Sequence, residues 1–64
     1  MKRMFKLRIE TKNAAFKGYD SAFEEYEVAR ILREVSDKLD KGRKEGTCHD
    51  INGNKVGEWT LTNR

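Results

Sequence analysis

Only one stretch of this 64-residue chain repeats its apolar residues at helical spacing, and that stripe constrains the architecture more than any other feature. Val28, Ile31, Leu32, Val35 and Leu39 project within about a 100° arc at ~3.6 residues per turn, while Arg30, Arg33, Glu34, Asp37, Lys38 and Asp40 occupy the remainder. One amphipathic helix cannot cover its own stripe, so a second layer has to come from the rest of the chain. Ser21 followed by Glu24 has the spacing of a capping box, which starts the helix. Gly42 ends it, after about Lys41, as a left-handed cap. Glu34 to Lys38 and Asp37 to Lys41 are acidic-first pairs at i,i+4, each contributing a few tenths of a kcal/mol at most.

Strand patterns flank this helix. Phe5, Leu7 and Ile9 alternate with Lys6, Arg8 and Glu10, the period-two signature of a half-buried strand with its apolar members pointing inward. Between Lys12 and Asp20 the alternation dissolves, yet Phe16 and Tyr19 are embedded there, so the loop is expected to fold back on the core. Near the C-terminus, Asn52-Gly53 between two strand-like runs predicts a two-residue type I′ hairpin. That register sets Thr47 opposite Glu58, Cys48 opposite Gly57 and His49 opposite Val56, with Trp59 and Leu61 on the face of Cys48. Ile51 and Val56 would then fall on the other face. Either a bulge at Gly57 flips the parity, which is the simpler solution, or the sheet carries an outer apolar patch for another molecule to cover.

The expected fold is therefore α+β: a small β-α-β-β domain with one helix packed on a three-stranded antiparallel sheet, the third strand in the middle. Residues 1–64 form a single domain on this reading, because so short a chain closes one core. Its stability margin is thin, which favours docking on a partner or self-association as a homodimer. No run approaches the ~20 apolar residues of a membrane helix, and Met1 to Arg8 lacks the apolar segment of a signal peptide, so a cytoplasmic location is expected. One cysteine and one histidine supply neither an internal disulfide nor a structural zinc site, so no metal or cofactor is expected.

Candidate chemistry is sparse. Cys48 and His49 are adjacent in a strand and point to opposite faces, so the imidazole cannot serve the thiol as a base. Asp50, Asn52 and Asn54 alternate like the first ligands of a calcium loop, but the glycine at its sixth position and the glutamate at its twelfth are missing; Leu61 stands at the latter. No phosphate-binding glycine loop or nucleophile elbow is present, and the chain reads as a binding protein without enzymatic activity.

Two surfaces stand out as binding candidates. The net charge of +3 conceals a gradient: residues 1–20 carry +4, residues 21–42 carry −2 and residues 43–64 carry +1. Lys2, Arg3, Lys6 and Arg8, with Lys6 and Arg8 on the open sheet face, could contact nucleic-acid phosphate. Against that reading, the aromatic of this strand, Phe5, alternates inward rather than outward for base stacking. At the loop-to-helix junction Phe16, Tyr19, Phe23 and Tyr26 cluster, more aromatics than one helix end needs, and Phe16 and Tyr19 with the acidic Glu24, Glu25 and Glu27 form the candidate protein-binding surface.

The runs Phe5-Lys6-Leu7-Arg8-Ile9, Asn13-Ala14-Ala15-Phe16, Glu27-Val28-Ala29-Arg30-Ile31-Leu32-Arg33 and Asp50-Ile51-Asn52-Gly53-Asn54-Lys55-Val56-Gly57 together cover most of the chain. In combination they resemble short uncharacterised proteins encoded by bacteriophages and prophages. That resemblance implies a compact accessory protein, of the kind that inhibits a host defence or regulatory complex, including the anti-CRISPR class. The partner it implies is a protein or protein complex of the bacterial host, and it assigns no catalytic or ligand residue.

Overall fold

The computed structural model of the chain describes residues 3–13, 16 and 23–63. Strand β1 (Arg3–Ile9) is followed by helix α1 (Phe23–Asp40) and by strands β2 (Glu45–His49) and β3 (Lys55–Asn63). The sheet order is β1-β3-β2 with both neighbouring pairs antiparallel, so the α+β fold of one helix on a three-stranded antiparallel sheet is the one the patterns predict.

Helix α1 buries Ile31 and Val35, with Val28 and Leu39 packed beside them. Leu32 departs from expectation: it stays 45% exposed at the rim of the stripe. The buried line is instead Glu27, Ile31 and Val35, spaced i,i+4 along one side of the helix. Glu24 and Glu25 occupy the first turn and Lys38 the last, each on the end where the helix dipole favours its sign. Gly42, at φ 88°, closes the helix in a Schellman motif: its N–H donates to Leu39 O at 2.9 Å and Arg43 N–H to Lys38 O at 3.0 Å. Of the two expected i,i+4 ion pairs, neither forms among the described residues; Glu34 instead accepts Arg30 Nη1 at 2.8 Å. Ser21 lies outside the described residues.

In the hairpin, Thr47 faces Glu58 and Cys48 faces Gly57 as predicted, but the register then shifts and His49 faces Lys55. Val56 is thereby the extra residue of a β-bulge, and the change of parity turns it inward beside Cys48 and Trp59. Ile51 does not follow; it sits in the turn, 65% exposed. The turn is not the two-residue type I′ either. Asp50 N–H bonds Asn54 O and Gly53 N–H bonds Asp50 O, which makes a three-residue loop with Gly53 alone at positive φ. Asn52 keeps a negative φ, whereas type I′ requires left-handed conformation at both central positions.

Phe16 is 1% exposed and its N–H bonds Asn13 O, so at this residue the loop does fold back on the core. On β1, Leu7 and Ile9 are half-buried against the core, whereas Phe5 lies 6.1 Å from Trp59 between ring centroids and keeps 44% of its surface.

Candidate functional site

The polar groups with the most specific geometry lie where the first half of α1 meets the hairpin. Glu27 and Asp50 are each 4% exposed, the two buried acidic side chains among the described residues. Arg30 donates from Nε to Glu27 Oε1 at 2.9 Å and from Nη2 to Oε2 at 3.0 Å, a fork that fits both carboxylate oxygens. Ile51 N–H donates to Oε2 at 2.8 Å, and Arg30 Nη2 reaches His49 O at 3.1 Å. The charge-assisted bonds from Arg30, reinforced by the Ile51 amide, hold the Glu27 carboxyl below the usual carboxylate range against the opposing effect of burial.

Asp50 organises the turn itself. Its Oδ1 accepts the N–H groups of Asn52 and Asn54, both at 2.9 Å, while Oδ2 accepts Asn13 Nδ2 at 2.9 Å and Asn54 Nδ2 at 3.1 Å. Burial alone would raise its pKa, but these four donors outweigh burial and lower it. Both carboxylates therefore have their oxygens committed to protein donors. They fasten α1, the hairpin and the segment after β1 to one another, and neither is placed to act as a base on a bound molecule.

These contacts correct part of the sequence reading. Glu27 belongs to the interior, because the helical stripe places it four residues before Ile31 over the hairpin. Phe16 likewise belongs to the core and offers no exposed contact. Glu24 and Glu25 are exposed as expected, and Tyr19 lies outside the described residues. Tyr26, one of the aromatics of the loop-to-helix junction, keeps 69% of its area exposed, as its place off the apolar arc of the helix requires.

On the open sheet face, Arg8 forms a two-point contact with Glu58 across the β1–β3 ladder, Nε to Oε2 at 2.8 Å and Nη2 to Oε1 at 3.2 Å, and approaches Glu10 at 3.3 Å. The bond from Arg8 holds the Glu58 carboxyl below its ordinary value. Lys6 stands opposite Thr60, and Arg3 is exposed at the start of the strand. Lys2 lies outside the described residues. Two shallow, open depressions mark this sheet, one along Lys6, Arg8, Glu58 and Thr60, the other along Arg43, Glu45, Thr47 and Thr60.

Cys48 is buried and its thiol pKa is raised by desolvation, whereas His49 is exposed, which keeps the pair apart as the strand geometry requires. Among the described residues no cluster of three or more His, Cys, Asp or Glu side chains could hold a metal ion, and no helix is long and apolar enough to cross a membrane.

No protein-family model, curated protein or solved structure matches this chain.

Proposed function

We propose that this chain is a small accessory protein of the phage type that acts in the host cytoplasm by binding a host protein or protein complex, as an inhibitor of a defence or regulatory machine. The observation that carries this reading is Tyr26. Its side chain is exposed in the first half of helix α1, whereas Glu27 and Asp50 are consumed in holding the fold. An aromatic ring presented from a fixed backbone loses little further entropy on contact, which is why such residues anchor protein interfaces. The exposed carboxylates of Glu24 and Glu25 in the first turn of the helix suit basic groups on the partner. The phage and inhibitor elements of the proposal rest on the sequence resemblance, and the absence of catalysis rests on the commitment of both buried carboxylates to structure.

The test is capture of tagged protein from a bacterial host lysate, with and without nuclease, repeated with Tyr26→Ala and with Glu24→Lys combined with Glu25→Lys. A stoichiometric, nuclease-resistant protein that these variants release while circular dichroism shows them still folded supports the reading. Retention by every variant places the contact elsewhere.

The alternative, a nucleic-acid-binding regulator, draws its support from exposed Arg3 and Lys6 on β1. It is the weaker reading because Arg8 is already neutralised by Glu58 and Glu10. It predicts affinity that falls steeply between low and moderate salt. A flat salt response ends it.

A further inference from the structure

The two edges of the sheet are finished differently. In an antiparallel ladder, successive residues of a strand direct their N–H and C=O groups alternately to one neighbour and the other. Glu10 N–H bonds Val56 O, so the even residues of β1 face β3, and Leu61 N–H bonds Lys44 O, so the odd residues of β3 face β2. The outward main chain of β2 therefore belongs to Glu45, Thr47 and His49. Arg43 and Arg30 lean across that edge and donate to the carbonyls of Glu45 and His49. The bulge between Cys48 and His49 bends the pairing there as well. Edges blunted in this way resist addition of another strand.

Strand β1 has neither device. It runs seven residues in unbroken register, and Phe5, Leu7 and Ile9 direct their N–H and C=O groups outward without a partner among the described residues. The helix lies nearest β2, which leaves the inner side chains of β1 incompletely covered: Phe5 is 44% exposed and Leu7 and Ile9 are half-buried. On the other face Lys6 is exposed and, among the described residues, makes no ion pair. A second copy of β1 is a poor occupant, because antiparallel pairing centred on Leu7 sets Lys6 directly against Arg8 of the other copy. We propose that the outer edge of β1 receives an extended segment of the partner protein as a fourth strand, with acidic side chains on the Lys6 face and apolar ones over Phe5 and Leu7. Main-chain bonding would supply affinity, and the alternation of charge and apolar contact would supply selectivity. The inference rests on the reading of this chain as a protein-binding module and concerns a surface separate from Tyr26.

The experiment uses the ¹⁵N-labelled full chain and three capped seven-residue peptides: glutamate alternating with valine, lysine alternating with valine, and the glutamate peptide with alternate amides methylated. In the free protein the amides of Phe5, Leu7 and Ile9 exchange fast while those of Lys6 and Arg8 are protected. The glutamate peptide slows the odd amides at least about tenfold and shifts resonances along Arg3–Ile9; the lysine and methylated peptides do neither. Lys6→Glu weakens the glutamate peptide roughly tenfold, as loss and reversal of one facing charge should. Tyr26→Ala leaves peptide binding intact, so failure at this edge and failure of the helix surface are read separately. The proposal is overturned by odd amides already protected in the free chain, by a glutamate peptide that neither slows them nor shifts Arg3–Ile9, by equal binding of the lysine peptide, or by an oligothymidine perturbing Arg3 and Lys6 where the peptide does not.

Discussion

The carboxylate of Glu27, on the helix, accepts the backbone N–H of Ile51, in the hairpin turn, at 2.8 Å. A side chain 24 residues earlier in the chain thus satisfies an amide that the turn cannot bond internally. Because Arg30 grips the same carboxylate, removal of Glu27 takes the acceptor from both Arg30 Nε and the Ile51 amide and leaves the guanidinium only Glu34 and His49 O.

Glu27→Ala should therefore destabilise the fold by about 3 kcal/mol, at the lower end for breaking a buried pair because Arg30 is partly exposed. Urea denaturation of this variant beside Glu24→Ala and Glu25→Ala checks it, since the latter two carboxylates are exposed and the loss of either should cost only its interaction with the helix dipole, about 0.5 kcal/mol. An equally small shift in all three would contradict the role assigned to Glu27.

Stability should depend on pH in the acid range. Glu27 and Asp50 both have folded pKa values below their ordinary ones, so the folded state binds fewer protons than the unfolded chain. Their contribution is complete above the unfolded values of about 4, erodes as pH falls, and is lost once pH passes below the folded values. The melting temperature is expected to be level from about pH 5 to 7 with respect to these two groups and to drop below about pH 4. In Glu27→Gln the drop should be shallower; an identical acid limb would show that Glu27 does not contribute.

Three glycines should respond unequally to alanine. A Cβ on Gly57 would strike the carbonyl of Arg8, and β1 would have to part from β3 to admit it, so Gly57→Ala should abolish cooperative unfolding or cost more than about 3 kcal/mol. At Gly46 the new atom meets the Trp59 indole at 2.8 Å from Nε1, and a smaller loss is expected because a ring can tilt. Gly53 has open space around it and a φ of 87°, so Gly53→Ala should cost only the left-handed conformation, about 1 kcal/mol. Thermal melts of the three variants test the ranking.

Burial of Cys48 and its raised thiol pKa predict slow reaction with a disulfide reagent at neutral pH. Labelling should accelerate to the rate of a free thiol in denaturing urea. Fast modification of the native protein would mean that β2 opens from the core far more readily than its packing implies.

The broad plan of the fold was legible without coordinates. Apolar period two in Phe5–Ile9, period 3.6 in Val28–Leu39 and the Asn52-Gly53 turn place one helix among three strands, and Gly42 marks the helix end. These are local signals, because side-chain direction repeats with the backbone geometry of each element. The bulge was also within reach, since the flipped parity of Val56 had to be resolved by a change of register or by exposure.

The candidate surface was less legible. Phe16 and Glu27 were expected to meet a partner, and both instead serve the interior. A short sequence window does not distinguish an acidic residue at a helix start that faces water from one that faces a turn arriving 24 residues later. Glu27 did occupy the i−4 position of Ile31, but the carboxylate there becomes favourable only when Arg30, His49 and Ile51 converge on it.

What this sequence determined alone is therefore the element order and the inward or outward sense of most positions, through the period of its apolar residues. Tertiary structure decided the three-residue turn, the sites of Glu27 and Asp50, and the lateral placement of the helix near β2 that leaves Phe5 and Leu32 uncovered. The reason is physical: periodicity is a property of neighbours along the chain, whereas satisfaction of a buried charge and coverage of an apolar side chain depend on groups that meet only after the layers have packed.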